Sequence, residues 1–307
     1  MKTLLRHLSI PGITCRLPDL SGPYTTIGIG GEVGMSIQVE TLDALIKVLR
    51  ILREKKIQHV VMGGGSNIVF PEKAPDLVLV LNRTSGIQRI APRRISVRSG
   101  ETNLAIMAWC GQNGVAGLEF LAGIPGTLGG ATAVNAGAFG RDMAACFVEA
   151  RILDLHGQEQ SVGPEACAFK YRDSVFKRGD AILLEIVLAV EPEDPVLVRR
   201  RIRRNFLYRK EHHPHRAAKT AGCFFKNPQR SESGSAGRLI DAAGLRGMRR
   251  AGLEISPRHA NFIVHHGGAG LTELQDFMGR ITNTVEAQRG IRLEREVLFV
   301  APDGRRY

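Results

Sequence analysis

The feature that most constrains the fold is a glycine-rich segment with seven glycines between residues 117 and 140. Each glycine loses more backbone entropy on folding than another residue, so this many would weaken an ordinary packed core. The residues between them are mostly small and apolar. An irregular loop is the alternative, but surface loops are usually polar. The segment therefore predicts main chain against which a large, flat ligand lies.

A second glycine cluster follows a short α/β unit. Thr41 is a good N-cap for a helix over 42–52, where apolar residues recur at helical spacing. Strands are predicted over 57–62 and 77–81, on either side of the cluster Gly63-Gly64-Gly65-Ser66-Asn67. This cluster is neither a dinucleotide fingerprint nor a P-loop. Its backbone N–H groups and serine hydroxyl suit a phosphate, and a flexible turn is the alternative.

The composition indicates a globular protein of two or three domains. The chain has 307 residues, of which 43% are hydrophobic, so a sizeable core is feasible. It has no signal-peptide core and no run of the roughly 20 apolar residues that a transmembrane helix needs. We therefore expect a cytoplasmic protein without membrane insertion. The five cysteines lack close pairing, which indicates reduced thiols, and no residue spacing predicts a metal site.

The net charge of +12 has three interpretations. Much of the charge lies in residues 199–204, which could bind nucleic acid. The run could instead be a solvated helix face, and we favour this interpretation. The apolar stripe beside such a face would consist of Val196, Ile202, Phe206 and Leu207. A third interpretation is that a positive surface attracts anionic substrates.

Six short motifs occur in a fixed order along the chain. They are Gly63–Asn67; Glu119-Phe-Leu-Ala-Gly-Ile-Pro-Gly-Thr-Leu-Gly-Gly-Ala131 with Asn135-Ala-Gly137; Tyr171-Arg-Asp-Ser174; Thr220-Ala-Gly-Cys-Phe-Phe-Lys-Asn-Pro228; Ser256-Pro-Arg-His-Ala-Asn-Phe262; and Leu293-Glu-Arg-Glu-Val297. Each motif is weak alone. Together they resemble the UDP-N-acetylenolpyruvoylglucosamine reductase family, and the resemblance covers about residues 24–300.

The resemblance implies an α+β protein with the FAD-binding fold of the vanillyl-alcohol-oxidase-like (PCMH-type) superfamily. Two α/β FAD subdomains are expected at 1–85 and 86–195, followed by a substrate-binding domain at 196–290. Residues 291–307 would form a C-terminal strand that carries the catalytic glutamate. The interval between Ser174 and the next predicted strand is short, as in the form of the family that lacks a tyrosine-bearing insertion.

The resemblance also implies an NADPH-dependent enzyme of peptidoglycan precursor synthesis. NADPH would reduce noncovalent FAD, which would pass hydride to C3 of UDP-N-acetylglucosamine enolpyruvate. A proton would reach C2 and give UDP-N-acetylmuramic acid. No His or Cys within 117–140 suggests covalent attachment of the flavin. We expect a small-molecule substrate, no nucleic acid and no obligate protein partner.

Three residues match the catalytic positions of the family. Arg172 would stabilise the enolate that develops next to the substrate carboxylate. Cys223 stands where the family usually has the serine that delivers the proton. Glu296 would polarise the intermediate or relay a proton. The alternatives are a structural ion pair between Arg172 and Glu296, and an inert core thiol at Cys223.

The remaining matches concern binding. The FAD-binding positions are Gly63, Gly64, Gly65, Ser66, Asn67, Glu119, Gly123, Ile124, Pro125, Gly126, Gly129, Gly130, Asn135, Ala136 and Gly137. The substrate-binding positions are Tyr171, Lys226, Asn227, Arg238 and His259.

The chain departs from the family pattern at Gly28. The family motif N-T-x-R-I-G-G has arginine there, so any contact that this arginine makes to the flavin must come from elsewhere. Lys210 and residues 212–215 match no family position cleanly and receive no role. Two other functions stay open: another FAD oxidoreductase of the same superfamily, and a noncatalytic basic protein that binds nucleic acid.

Overall fold

The computed structural model describes residues 2–8, 10–228 and 234–307. Its helices and strands form three successive regions, and the buried apolar residues gather into four clusters, three of which join residues of two regions. The mixed α and β content agrees with the predicted fold class. The domain boundaries given above stay a prediction. Within the described ranges, no helix is long and apolar enough to cross a membrane.

The first region is a mixed sheet with one long helix packed on it. Its elements are α1 (Lys2–Leu5), β1 (Ile13–Arg16), β2 (Asp19–Leu20), β3 (Glu32–Val39), α2 (Leu42–Glu54), β4 (His59–Met62), β5 (Ile68–Val69) and β6 (Lys73–Asn82). The strand order is β1-β3-β6-β4, with β2 beside β3. Thr41 caps α2 by accepting a hydrogen bond from the Ala44 N–H, as predicted. The glycine cluster 63–67 connects β4 to β5.

The second region is an antiparallel sheet. Its elements are β7 (Ile87–Ala91), β8 (Arg94–Arg98), α3 (Asn103–Asn113), β9 (Val115–Ala116), α4 (Leu128–Ala133), β10 (Gly137–Ala138), β11 (Arg141–Asp142), β12 (Phe147–Leu153), β13 (Glu159–Val162), α5 (Pro164–Cys167), β14 (Ile182–Ala189) and β15 (Glu191–Pro192). The strand order is β13-β12-β14-β8-β7. Helix α3 ends at Asn113, because Gly114 takes the left-handed conformation with φ +60°.

The third region contributes the loop that carries Cys223. Its elements are α6 (Pro195–His212), α7 (Ala236–Ala242), β16 (Arg249–Arg250), β17 (Leu253–Ile255), β18 (Ile263–His265), α8 (Leu271–Arg289) and β19 (Leu298–Phe299). Strand β17 pairs antiparallel with β16 and β18. Strand β19 returns to the first region and pairs parallel with β5.

The prediction of a continuous C-terminal strand was wrong in extent. Residues 291–307 were expected to form a strand, but β19 covers only Leu298–Phe299. The Glu296 N–H instead donates to the Phe224 carbonyl, and Arg295 forms an isolated bridge with Phe225. The backbone around Glu296 is therefore paired with the Cys223 loop, and Glu296 precedes the strand.

The predicted apolar stripe of α6 was right only for Ile202, which packs against the buried cluster of the second region. Val196, Phe206 and Leu207 are exposed, and the buried residues of the helix are Val198 and Asn205. The reason is that arginines make several of the contacts of α6 with the second region. The stem of Arg199 lies over Gly111 of α3, and its guanidinium donates to the Gly111 carbonyl at 2.9 Å. Arg201 forms ion pairs with Glu119 and Glu193.

The two glycine segments touch each other. A Cβ added to Gly64 would lie 2.6 Å from the Cα of Gly126, and one on Gly63 would overlap the Thr127 side chain. Because neither glycine has a side chain, the first and second regions approach main chain to main chain. This contact forms one wall of the space described in the next section.

We predict that Gly64→Ala lowers the free energy of unfolding by about 1–3 kcal/mol, the usual cost of forcing extra volume into a packed contact. Gly279→Ala is the matched control, since a Cβ there meets no atom within 4 Å and lies inside α8. The control should stabilise the protein by up to about 1 kcal/mol. Denaturant unfolding measures both, and equal effects would contradict the close approach of the loops.

Candidate active site

A cavity of about 1640 Å³ lies where the three regions meet. It is larger than a typical drug-sized site, and much of its wall is glycine main chain, as the sequence predicted for a large, flat ligand. Among the described residues, the Thr220 hydroxyl and the Arg209 Nε are buried without a hydrogen-bond partner, and both residues line the cavity. Buried polar atoms are normally satisfied, so these two indicate a ligand. The cavity therefore fits a group of the size and polarity of FAD.

Most of the predicted cofactor-binding residues line this cavity. The lining includes Gly63, Gly64, Gly65, Ser66, Asn67, Gly123, Ile124, Pro125, Gly126, Gly129, Gly130, Ala136 and Gly137. The three predicted catalytic residues, Arg172, Cys223 and Glu296, line it as well. Residues distant in sequence thus come together in one space.

Arg172 and Glu296 form an ion pair, with 3.1 Å between Arg172 Nε and Glu296 Oε1. Arg172 also donates from Nη2 to the Gly137 carbonyl at 2.8 Å. Burial raises the pKa of Glu296, and the opposing positive charges of Arg172, Lys177 and Lys226 do not cancel that effect. The carboxyl group therefore keeps a proton to higher pH than an ordinary glutamate does.

The backbone of Arg172 is in the left-handed region, with φ +55°. Residues other than glycine rarely adopt this conformation, and it costs free energy. Ser174, two residues later, donates its hydroxyl to the Ala133 carbonyl at 2.7 Å, which ties this turn to the end of α4. The surrounding contacts therefore hold Arg172 in a conformation that aims its side chain at Glu296.

The Cys223 loop is held from both sides. On one side, the Phe224 N–H donates to the Asn261 carbonyl at 2.9 Å, and the Asn261 amide exchanges two hydrogen bonds with the Phe225 main chain. On the other, the Glu296 N–H donates to the Phe224 carbonyl at 2.9 Å. Phe224 itself is fully buried. These contacts fix Cys223 relative to Glu296.

Burial raises the pKa of the Cys223 thiol to about 12, and the negative charge of Glu296 acts in the same direction. Arg172 and Arg209 oppose this shift without cancelling it. The thiol is therefore protonated throughout the physiological range. Cys223 borders the cavity, so its place is not that of a thiol enclosed in the core.

Two predicted FAD-binding residues do not line the cavity. Glu119 forms an ion pair with Arg201 of α6 and accepts a hydrogen bond from the Gly117 N–H at 2.7 Å. The Asn135 side chain is buried, donates to the Lys170 carbonyl at 2.9 Å and accepts from the Ala144 N–H at 3.0 Å. Both side chains therefore stabilise the glycine-rich segment through contacts outside the cavity lining.

The predicted substrate-binding residues also lie outside the cavity lining, on elements next to it. Asn227 donates from its N–H to the exposed Tyr171 hydroxyl at 3.4 Å and accepts from the Ala236 N–H at the start of α7. Arg238 lies exposed on α7. The roles of these three residues stay predictions.

Lys226 and His259 complete this set. Lys226 forms an ion pair with Glu294, with 2.6 Å between Nζ and Oε1. Burial lowers the pKa of His259, whose Nδ1 accepts a hydrogen bond from the Asn261 N–H at 3.2 Å. His259 is therefore a neutral ring beside the Cys223 loop, in edge contact with His213.

Lys177 and Arg209 are among the cations of the site that sequence reasoning missed. Lys177 lines the cavity, and burial lowers its pKa. Arg209 lies over Gly123, where a Cβ would be 2.7 Å from its Cδ, and near Cys223. The spacing along α6 could have identified Arg209, because Val198, Asn205 and Arg209 lie on one face of the helix.

At Gly28, the structure gives a local reason for the departure from the family motif. Gly28 has φ +73°, and a Cβ there would lie 3.3 Å from the Cδ of Lys219. The stem of Lys219 therefore covers the position from which the family's arginine would project.

We predict that Cys223 reacts slowly with iodoacetamide, because only the thiolate attacks. A free cysteine has a pKa of about 8.5, so at pH 8 the folded protein should be alkylated at Cys223 at least ~10²-fold more slowly than a peptide of residues 220–228. Mass spectrometry of the modified residue gives the rate, and Cys223→Ser supplies the baseline. Reaction at the peptide's rate would contradict the raised pKa.

Comparisons with known proteins agree with this geometry. Residues 213–300 match the model of the C-terminal domain of UDP-N-acetylenolpyruvoylglucosamine reductase, and residues 34–163 match that of an FAD-binding domain.

Curated relatives and a solved structure lead to the same family. UDP-N-acetylenolpyruvoylglucosamine reductase 2 of Symbiobacterium thermophilum is 35% identical over 89% of this chain and 88% of its own length. The Bacillus subtilis reductase is 32% identical over 90% of this chain and 91% of its own. The crystal structure of the Thermus caldophilus reductase superposes with a TM-score of 0.75 at 30% identity, covering 94% of this chain and 98% of that one. This chain is a member of the UDP-N-acetylenolpyruvoylglucosamine reductase family of FAD-binding enzymes.

Proposed function

We propose that this enzyme uses NADPH and FAD to reduce UDP-N-acetylglucosamine enolpyruvate to UDP-N-acetylmuramic acid, with Cys223 as the proton donor. The observation that carries the proposal is that Arg172, Cys223 and Glu296 border one cavity whose wall is built from two glycine segments. When bound, FAD supplies the hydride, taken from NADPH, that adds to C3 of the enolpyruvyl double bond.

Arg172 has the position and the charge for the substrate carboxylate. As electrons move toward that carboxylate, negative charge develops, and a fixed guanidinium stabilises it more in the transition state than in the ground state. The planar fork of arginine grips a carboxylate through two hydrogen bonds. Its contacts to Glu296 and the Gly137 carbonyl orient the fork before substrate arrives.

Cys223 delivers the proton to C2. A thiol whose pKa is raised to about 12 by burial is protonated at every working pH, and it is a stronger acid than the hydroxyl it replaces. Glu296 acts on the thiol electrostatically. Because burial also raises the pKa of Glu296, its carboxyl group can carry the proton that restores the thiol.

Two cations support this chemistry. Lys177 lies where the charges of Glu296 and Glu294 act on it, and Arg209 lies close enough to Cys223 for the two charges to interact. Both add positive potential to a cavity that must accept an anionic nucleotide sugar. The arginines 199 and 201 are engaged with the second region, and no observation favours the nucleic-acid alternative.

We predict that Arg172→Lys and Glu296→Gln separate the two half-reactions. Reduction of the flavin by NADPH should stay near the wild-type rate, whereas reoxidation by the enolpyruvyl substrate should slow by at least ~10²-fold, the usual size of a lost electrostatic or acid–base contribution. Stopped-flow absorbance of the flavin measures both rates. Equal slowing of both half-reactions would indicate a damaged fold, and unchanged reoxidation would refute the roles given to these residues.

We predict that Cys223→Ser keeps reoxidation within about tenfold of the wild type, whereas Cys223→Ala slows it by at least ~10²-fold. Since the folded pKa of the thiol is about 12, protonation is lost only above pH 10. The wild-type and Ser enzymes should therefore show the same pH dependence of reoxidation from pH 6 to 10. If the Ala variant is reoxidised at the wild-type rate, Cys223 is not the proton donor. If the reoxidation rate of the wild type falls near pH 8.5, the pKa of the thiol is not raised.

A further inference from the structure

The last residues of the chain form a hairpin that turns back on β19. The main chains of Phe299 and Tyr307 exchange two hydrogen bonds of 2.9 Å, and Val300 bridges to Arg306. The turn is closed by a hydrogen bond from the Ala301 N–H to the Arg305 carbonyl. Side chains alternate along such a segment. Arg305 is exposed and pairs with Asp303, whereas the side chain of Arg306 points the other way.

That alternation directs Arg306 into the cavity between the first and second regions. Its Nη2 donates to the carbonyl of Val61 at 2.7 Å, two residues before the first glycine of the 63–67 cluster. Its guanidinium also lies against Gly179, where a Cβ would be only 2.9 Å from Arg306 Cζ. Arg306, Val61 and Gly63 all line the same cavity.

The charge of Arg306 is poorly compensated. Among the residues that the structure describes, Arg306 forms no ion pair, and the charge of Asp180 acts on it only from farther away. Burial lowers the pKa of Arg306 to about 10. A buried guanidinium held by one carbonyl is costly unless an anion joins it. Arginine, with its planar fork, is suited to bind a phosphate through two hydrogen bonds.

We propose that Arg306 binds the pyrophosphate of FAD, so that the C-terminal hairpin is part of the cofactor site. The 63–67 cluster offers backbone N–H groups to the same pyrophosphate, and Arg306, held at Val61, adds the full positive charge that those groups lack. The family motif places an arginine at position 28, and this chain has Gly28 there, so any contact that this arginine makes to the flavin must come from elsewhere.

The test measures how fast FAD leaves the holoenzyme after dilution, from the recovery of free flavin fluorescence. Arg306→Gln keeps a donor for the Val61 carbonyl and removes the charge. It should speed release by about 10- to 100-fold, the loss expected for a hydrogen bond to a charged group. Arg305→Gln, the adjacent exposed arginine, removes the same charge from the same hairpin and should change release less than twofold.

The salt dependence of FAD release shows whether Arg306 binds the cofactor directly or only stabilises the fold. Release from the wild type should accelerate with NaCl because a charge pair is screened, and this dependence should be weaker in Arg306→Gln and unchanged in Arg305→Gln. If Arg306→Gln does not fold, judged by circular dichroism, Arg306→Lys decides: it keeps the charge without the fork and should release FAD several-fold faster. Unchanged release, or faster release with the wild-type salt dependence, would overturn the proposal.

Discussion

The main-chain pairing of the Cys223 loop is the interaction on which the site depends. The loop runs between Asn261 and the segment that ends in Glu296, and it hydrogen-bonds to both. Cys223 and Glu296 come from distant parts of the sequence. Their relative position is set by backbone atoms, which vary less than side-chain rotamers do. The Asn261 amide takes the place of a strand neighbour for Phe225, since no regular sheet continues there. A short irregular ladder therefore does the positioning that a longer strand was expected to do.

Burial dominates the electrostatics of this ladder. It raises the pKa of both acids, Cys223 and Glu296, and it lowers the pKa of the bases Lys177 and Arg209. Attraction between the acids and the cations shifts each pKa in the opposite direction, but it does not cancel the effect of burial. The same low-polarity surroundings thus keep protons on the acids and strengthen every charge interaction with a bound anion. A protonated thiol and a cavity that favours anions follow from one physical cause.

Sequence periodicity and spacing predicted the local structure well. The cap at Thr41 and the helix that follows it depend on neighbouring residues alone. The family resemblance also selected Arg172, Cys223 and Glu296, and the structure places all three at one cavity. The contacts of α6 could not be read this way, because they depend on Gly111 and Glu119 in another region. Arg306 was missed for a similar reason: only the folded hairpin brings it to Val61.

The left-handed backbone of Arg172 has an evolutionary consequence. Glycine is the residue that this conformation favours, and it would relieve strain of order 1 kcal/mol. The same replacement would remove the guanidinium that faces Glu296. Selection for stability and selection for the role proposed for Arg172 therefore favour different residues at this position. A library screened only for thermal resistance would enrich glycine at position 172 and lose the guanidinium along with the strain.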